Sequence, residues 1–172
     1  MPKPLHGLII GSCCALATVF AAPAAAQDRP APAVDVSTGW AGFVDDATIH
    51  HWVFGGGARF YVTPRLSIGP ERVYMVGPDD DRDLIVTGNV IFDFLKPSGG
   101  RPRRVTPYVL GGGGFFQHRD RFATGTFTST EGAFTVGGGV RAFITDRVYV
   151  APEVRLGWEL HLRAGVTVGL EF

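Results

Sequence analysis

His50 and His51 lie upstream of a carboxylate run, Asp79, Asp80, Asp81 and Asp83, and His118 follows further along the chain. Carboxylates grouped in this way are ligand types for a hard cation. Adjacent side chains on a strand point apart, however, and the run lacks the spaced glycine and distal glutamate of a calcium loop. These residues are therefore expected in solvated external loops, and no metal is assigned to them. A serine hydrolase would need Ser, His and an acid within reach of one another. His161 has Glu159 close by but no adjacent serine, and Ser129 lies in a separate polar stretch, so no catalytic residue is assigned. The glycine runs Gly55 to Gly57, Gly111 to Gly114 and Gly137 to Gly139 lack the Lys-Ser/Thr pair and the following helix of a phosphate loop. No cofactor is expected.

A second set of residues has a different chemistry. Arg59, Glu71, Asp93, Arg141, Glu153, Arg155, Arg163 and Glu171, four bases and four acids, each occupy the polar parity of an alternating stretch. Confined together they must neutralise one another, because an unpaired buried ion costs several kcal/mol. What would confine them is a sheet closed on itself.

The last stretch, Leu160 to Phe172, shows the pattern most clearly. Leu162, Ala164, Val166, Val168, Leu170 and Phe172 share one parity, and His161, Arg163, Gly165, Thr167, Gly169 and Glu171 the other. That is a period of two. Upstream, strands are expected at Ser37–Asp45, Trp52–Val62, Leu66–Val76, Leu84–Leu95, Val105–Phe116, Gly132–Ile144 and Val148–Gly157. Apolar residues on the outward parity include Trp52, Phe54 and Phe60, then Ile68 and Tyr74, then Val90 and Phe92. Arg72 is an exception on that face, explained either by snorkelling or by a bulge near Pro70. In the glycine-rich fifth strand, Tyr108, Leu110 and Phe116 are expected outward. The longest loop is expected at Gln117–Glu131, with flanks that extend the hairpin.

Connections after odd-numbered strands are acidic or long, whereas Thr63–Arg65 and Thr145–Arg147 are three-residue turns. Short turns on one side and longer loops on the other are the pattern of outer-membrane barrels. Eight strands of about ten residues suit a tilted bilayer crossing. The turns set Arg59 opposite Gly69, Glu71 opposite Gly57, Glu153 opposite Gly139 and Arg155 opposite Gly137. Arg59 becomes a diagonal neighbour of Glu71, and Arg141 of Glu153. A short Trp158–Leu160 turn would set Arg155 against Arg163, with Glu71, Glu153 or Asp93 reaching between them. The lumen then reads as a narrow ion path or as a filled polar core, and the interior of eight strands favours the filled core.

The N-terminus has Lys3, an apolar Leu8–Ala22 stretch and an Ala24–Ala26 end, the plan of a cleaved signal peptide over residues 1–26. Cys13 and Cys14 lie within it, and Ile10–Cys13 loosely matches a lipoprotein cleavage box. Residues 27–36 read as a flexible lead-in and 37–172 as the barrel. Charge is balanced at 16 basic and 16 acidic residues, which gives no sign of nucleic-acid binding. A soluble ligand-binding barrel would reverse the pattern, with apolar residues inward.

The expected fold is all-β: an eight-stranded antiparallel up-and-down transmembrane barrel preceded by a cleaved signal peptide. On TPYVLGGGGF (Thr106 to Phe115), FTVGGGVRAFITDRVYVAPEVRLG (Phe134 to Gly157) and the terminal GLEF (Gly169 to Phe172), the chain resembles the outer-membrane β-barrel domain family, the small OmpA/OmpX-type barrels. The resemblance implies a Gram-negative outer-membrane location and a Phe172 signal read by the barrel-assembly machinery. It implies roles in envelope integrity, adhesion or resistance, many members having no known activity; this chain is expected to be non-enzymatic and to carry no cell-wall-binding domain after Phe172. Its partners would be outer-membrane lipid, lipopolysaccharide and a surface ligand at the external loops. Arg119 and Arg121 are the candidates for lipopolysaccharide phosphate contact. The alternatives are an outer-membrane lipid-modifying enzyme and a periplasmic ligand-binding barrel.

Overall fold

The computed structural model describes residues 30–44, 48–78, 81–98, 102–122 and 125–172. Eight strands follow one another: β1 (Ala33–Val44), β2 (Thr48–Tyr61), β3 (Leu66–Val76), β4 (Arg82–Asp93), β5 (Val105–Phe122), β6 (Gly125–Phe143), β7 (Val148–Gly157) and β8 (His161–Glu171). Each pairs antiparallel with the next, and β8 pairs with β1 to close the barrel. Closure leaves no edge, the condition for a sheet in hydrocarbon.

Two turns at the end that carries both termini share one mechanism. Thr63 Oγ1 accepts from the amides of Arg65 and Leu66 at 3.3 and 2.9 Å, and Thr145 Oγ1 accepts from those of Arg147 and Val148 at 3.2 and 2.9 Å. A Thr-x-Arg sequence thus closes both turns through its own hydroxyl. The register that follows is the same from Trp52↔Val76 to Gly57↔Glu71 and from Phe60↔Ile68 to Tyr61↔Ser67, with Pro70 opposite Gly88 on the other side. Arg72 therefore stays on the outward face without a bulge. Outward side chains are apolar, Trp52 being 67% exposed, with Phe54, Ile68, Val90, Phe134, Val136 and Val154 also in the open. This excludes the inside-out arrangement of a soluble ligand barrel.

Three expectations need correction. The lead-in assigned to 27–36 already contains strand, because Ala33 pairs with Arg59 on one side and Glu171 on the other. Its Pro- and Ala-rich flank masked an alternation that begins at Ala33. Tyr108, Leu110 and Phe116 point inward, at 6, 5 and 2% exposure, while Val105, Val109 and Phe115 face out. The glycine run carries no parity, and the large side chains flanking it fill the lumen instead of meeting lipid. Finally, most of Gln117–Glu131 is ladder rather than loop, continuous from Gln117↔Thr130 to Phe122↔Gly125. The leader expected over 1–26, with Cys13 and Cys14, lies outside the described residues.

Candidate functional site

The lumen is built in layers. Nearest the termini, Arg141 donates through Nη1 to both Asp93 oxygens at 3.0 and 3.1 Å, and its guanidinium lies over the rings of Tyr108 and Tyr149 at 4.8 and 5.3 Å. Tyr61 donates to Asp93 Oδ2 at 3.1 Å. Arg59 Nη2 meets Glu171 Oε1 at 3.4 Å and lies over Tyr149 at 5.0 Å. The small Ala33, opposite both residues in the ladder, lets them meet across it. Tyr149 in turn donates to Asp35 Oδ2 at 3.2 Å. Its ring occupies the space where a side chain on Gly169 would stand.

In the next layer Glu71 collects three partners. It accepts from Arg155 Nη1, from Arg163 Nη2 at 3.2 Å and from Asn89 Nδ2 at 3.0 Å. Arg155 Nε donates to Glu153, whose other oxygen accepts from Tyr108 at 2.7 Å. All eight charged residues singled out from alternation lie within the lumen. Their partners differ from the ladder diagonals: Arg59 takes Glu171 instead of Glu71, and Arg141 takes Asp93 instead of Glu153. Long side chains in a narrow barrel reach over a neighbouring strand. Asp35, Tyr61, Asn89, Tyr108 and Tyr149 complete the network. Asp35 lies before the expected strand and Tyr108 is expected on the opposite face, whereas Tyr61 and Tyr149 share the inward parity of Arg59 and Arg155 in the sequence.

Above the charges sits an apolar layer of Phe43, Val53, Val73, Met75, Ile85 and Phe116. It spans the lumen between the charged interior and the external mouth. Buried side chains thus fill the barrel as an eight-stranded interior allows.

At the mouth the structure gathers residues expected in loops. His51 is on β2 and 3% exposed, and Asp83 on β4 is 2% exposed. His51 Nε2 lies 2.8 Å from Asp81 Oδ2 and 3.3 Å from Asp83 Oδ2. His118, on β5, sets Nδ1 at 2.7 Å from Asp83 Oδ1 and 3.4 Å from Asp81 Oδ1. The expectation of solvated loop residues is therefore corrected for His51, Asp83 and His118, which lie on strands, whereas Asp81 stays in the connection between β3 and β4. Their strands run past the apolar core, and composition alone hid that length. His50 faces outward and accepts from Trp40 Nε1 at 3.1 Å, while Asp79 and Asp80 lie outside the described residues. His161 is inward, its Nδ1 2.6 Å from the Trp158 carbonyl, and Phe43 packs between it and His51. Ser129 stands opposite His118 in the ladder, but its hydroxyl donates to Glu131 Oε1 at 3.2 Å.

On the outside, Arg72, Tyr74, Arg82, Asp83, Leu84, Gln117 and Arg119 line an open cleft of about 330 Å³. Arg82 also donates to the Asp81 carbonyl at 2.8 Å. The Arg121 side chain lies outside the described residues.

Residues 12–172 match the outer membrane protein β-barrel domain. The chain belongs to this family. Solved structures of the same fold include Neisserial surface protein A, 13% identical with a TM-score of 0.71, covering 82% of this chain and 97% of that one. The N-terminal β-barrel domain of Pseudomonas aeruginosa OprF is 15% identical with a TM-score of 0.63, covering 85% and 100%. Ail of Yersinia pestis, solved with the heparin analogue sucrose octasulfate, is 11% identical with a TM-score of 0.60, covering 84% and 99%. No curated protein matches the sequence. As a member of the outer membrane β-barrel domain family, the chain is a small barrel of the bacterial outer membrane.

Proposed function

We propose that this barrel serves the envelope without catalysing a reaction, by holding lipopolysaccharide phosphates on its outer face and presenting its external end to surface ligands. The observation that carries this reading is the outward cleft of Arg72, Arg82 and Arg119 with Tyr74, on three neighbouring strands near the external rim. Arginine on a lipid-facing strand is costly at the bilayer midplane and far less so at headgroup level. Guanidinium groups there match phosphate oxygens in a two-pronged geometry.

The interior charge network gives the platform its rigidity, and Phe172 with the alternating residues before it serves as the signal for the assembly machinery. A double charge reversal, Arg72→Glu with Arg119→Glu, tests the outer cleft. Less lipopolysaccharide should copurify with the variant, and cells carrying it should admit bulky apolar antibiotics more readily, with the folded barrel still recovered from the outer membrane. Unchanged lipopolysaccharide retention and unchanged permeability would overturn the reading.

A further inference from the structure

We propose that His51, Asp81, Asp83 and His118 form a binding site for one first-row divalent cation of the zinc type at the external mouth of the barrel. Four separate segments supply the donors: β2 gives His51, the β3–β4 connection Asp81, β4 Asp83 and β5 His118. The two imidazole nitrogens each approach both carboxylates, His51 Nε2 at their Oδ2 atoms and His118 Nδ1 at their Oδ1 atoms. Each nitrogen faces an oxygen of both acids, at 2.8 and 3.3 Å for His51 Nε2 and at 2.7 and 3.4 Å for His118 Nδ1. The donor atoms of His51, Asp81 and Asp83 all fall within 4.8 Å of one another.

Protons satisfy only part of this arrangement: His51 Nε2 bonds Asp81 Oδ2 at 2.8 Å and His118 Nδ1 bonds Asp83 Oδ1 at 2.7 Å, one acceptor each. Asp81 Oδ1 is buried without a hydrogen-bond partner, as is His51 Nδ1. A central cation serves all four donors together. With bonds of roughly 2.0–2.2 Å, tetrahedral zinc holds its ligands about 3.4 Å apart. The 3.3 Å spacing of His51 Nε2 and Asp83 Oδ2 already matches, and His118, the member with the most room, completes the set by rotating toward the three-residue group. Two imidazoles and two carboxylates suit zinc and its first-row neighbours, whereas calcium and magnesium take oxygen ligands.

Local packing supports the site from two sides. A side chain on Gly77 would run into the His51 ring and come within 2.9 Å of Asp81 Oδ2, so the residue there leaves space for the cluster. Below, Phe43 and Phe116 of the apolar layer separate the site from the charged lumen. Above, the Asp81 and His118 side chains are 16 and 28% exposed, which opens the site to solvent. This inference does not depend on the lipopolysaccharide reading, which concerns the outer face.

The test is titration of the refolded, detergent-held barrel with zinc chloride at pH 7.5, followed calorimetrically, with cobalt(II) as a spectroscopic substitute. One ion per barrel is expected, together with the intense visible absorption of tetrahedral cobalt. Asp83→Asn and His118→Gln should each weaken binding at least tenfold. Heat-modifiable gel mobility reports whether each variant is folded, and the rim position of His118 keeps the test informative if Asp83→Asn does not fold. An absence of saturable binding, or binding that is the same in folded His118→Gln, would overturn the proposal.

Discussion

Arg155 and Arg163 stand directly opposite each other in the ladder between β7 and β8, and the Glu71 carboxylate lies between their guanidinium groups. Like charges set opposite on neighbouring strands repel, so this pair exists only because a third strand supplies the counter-charge. Glu71 also receives Asn89, which leaves neither of its oxygens idle.

Removing that charge should be severe. Glu71→Gln leaves two guanidinium groups facing each other in a closed lumen, with Arg163 keeping no acid in direct contact among the described residues. A loss of about 3–5 kcal/mol is expected, the range for a buried pair broken on one side. Urea unfolding in lipid vesicles measures it, and a loss under about 1 kcal/mol would mean that water screens the lumen far better than its packing implies.

The turn between β7 and β8 offers the opposite sign. Glu159 and Leu160 both adopt left-handed backbone, with φ of 57° and 42°, although neither is glycine. Paired positive φ values describe the tight hairpin geometry that favours Asn-Gly. Leu160 is also exposed, so Leu160→Gly gives up little packing. The variant should be more stable by roughly 1 kcal/mol, the strain a left-handed residue stores. A lower unfolding midpoint would show that the leucine makes a contact worth more than the strain.

Phe172 separates assembly from stability. Its ring is outward and exposed, and its amide donates to the Pro32 carbonyl at 3.1 Å, a bond that any residue can make. Phe172→Ala should therefore cut the amount of barrel reaching the outer membrane several-fold in cells, while the refolded variant unfolds at nearly the parent midpoint. Equal losses in both measurements would make the ring a packing element and not a signal.

Alternation was enough to place most of this fold. β3 and β7 run over the expected Leu66–Val76 and Val148–Gly157, and the two Thr-x-Arg turns fix Glu71↔Gly57, Glu153↔Gly139 and Arg155↔Gly137. The faces of β5 were illegible for a physical reason. Gly111 to Gly114 have no side chains to report parity, so Tyr108 and Phe116 were judged by hydrophobicity, and a narrow lumen needs large rings as much as lipid does. The mouth cluster was hidden differently. His51 and His118 are far apart in sequence and near polar stretches, and only strands that continue past the membrane-sized segment bring them to the same carboxylates.

β1 and β8, the first and last strands, are partners along nearly their whole length, from Ala33↔Glu171 to Phe43↔His161. The contacts that seal the barrel are thus the most distant in the chain, giving it a high contact order and a large entropic cost before closure is rewarded. A chain arrested before β8 is made would hold β1 with one unpaired side. It would also lack Glu171 for Arg59 and Arg163 for Glu71. Closing the seam and neutralising the lumen are therefore one cooperative event.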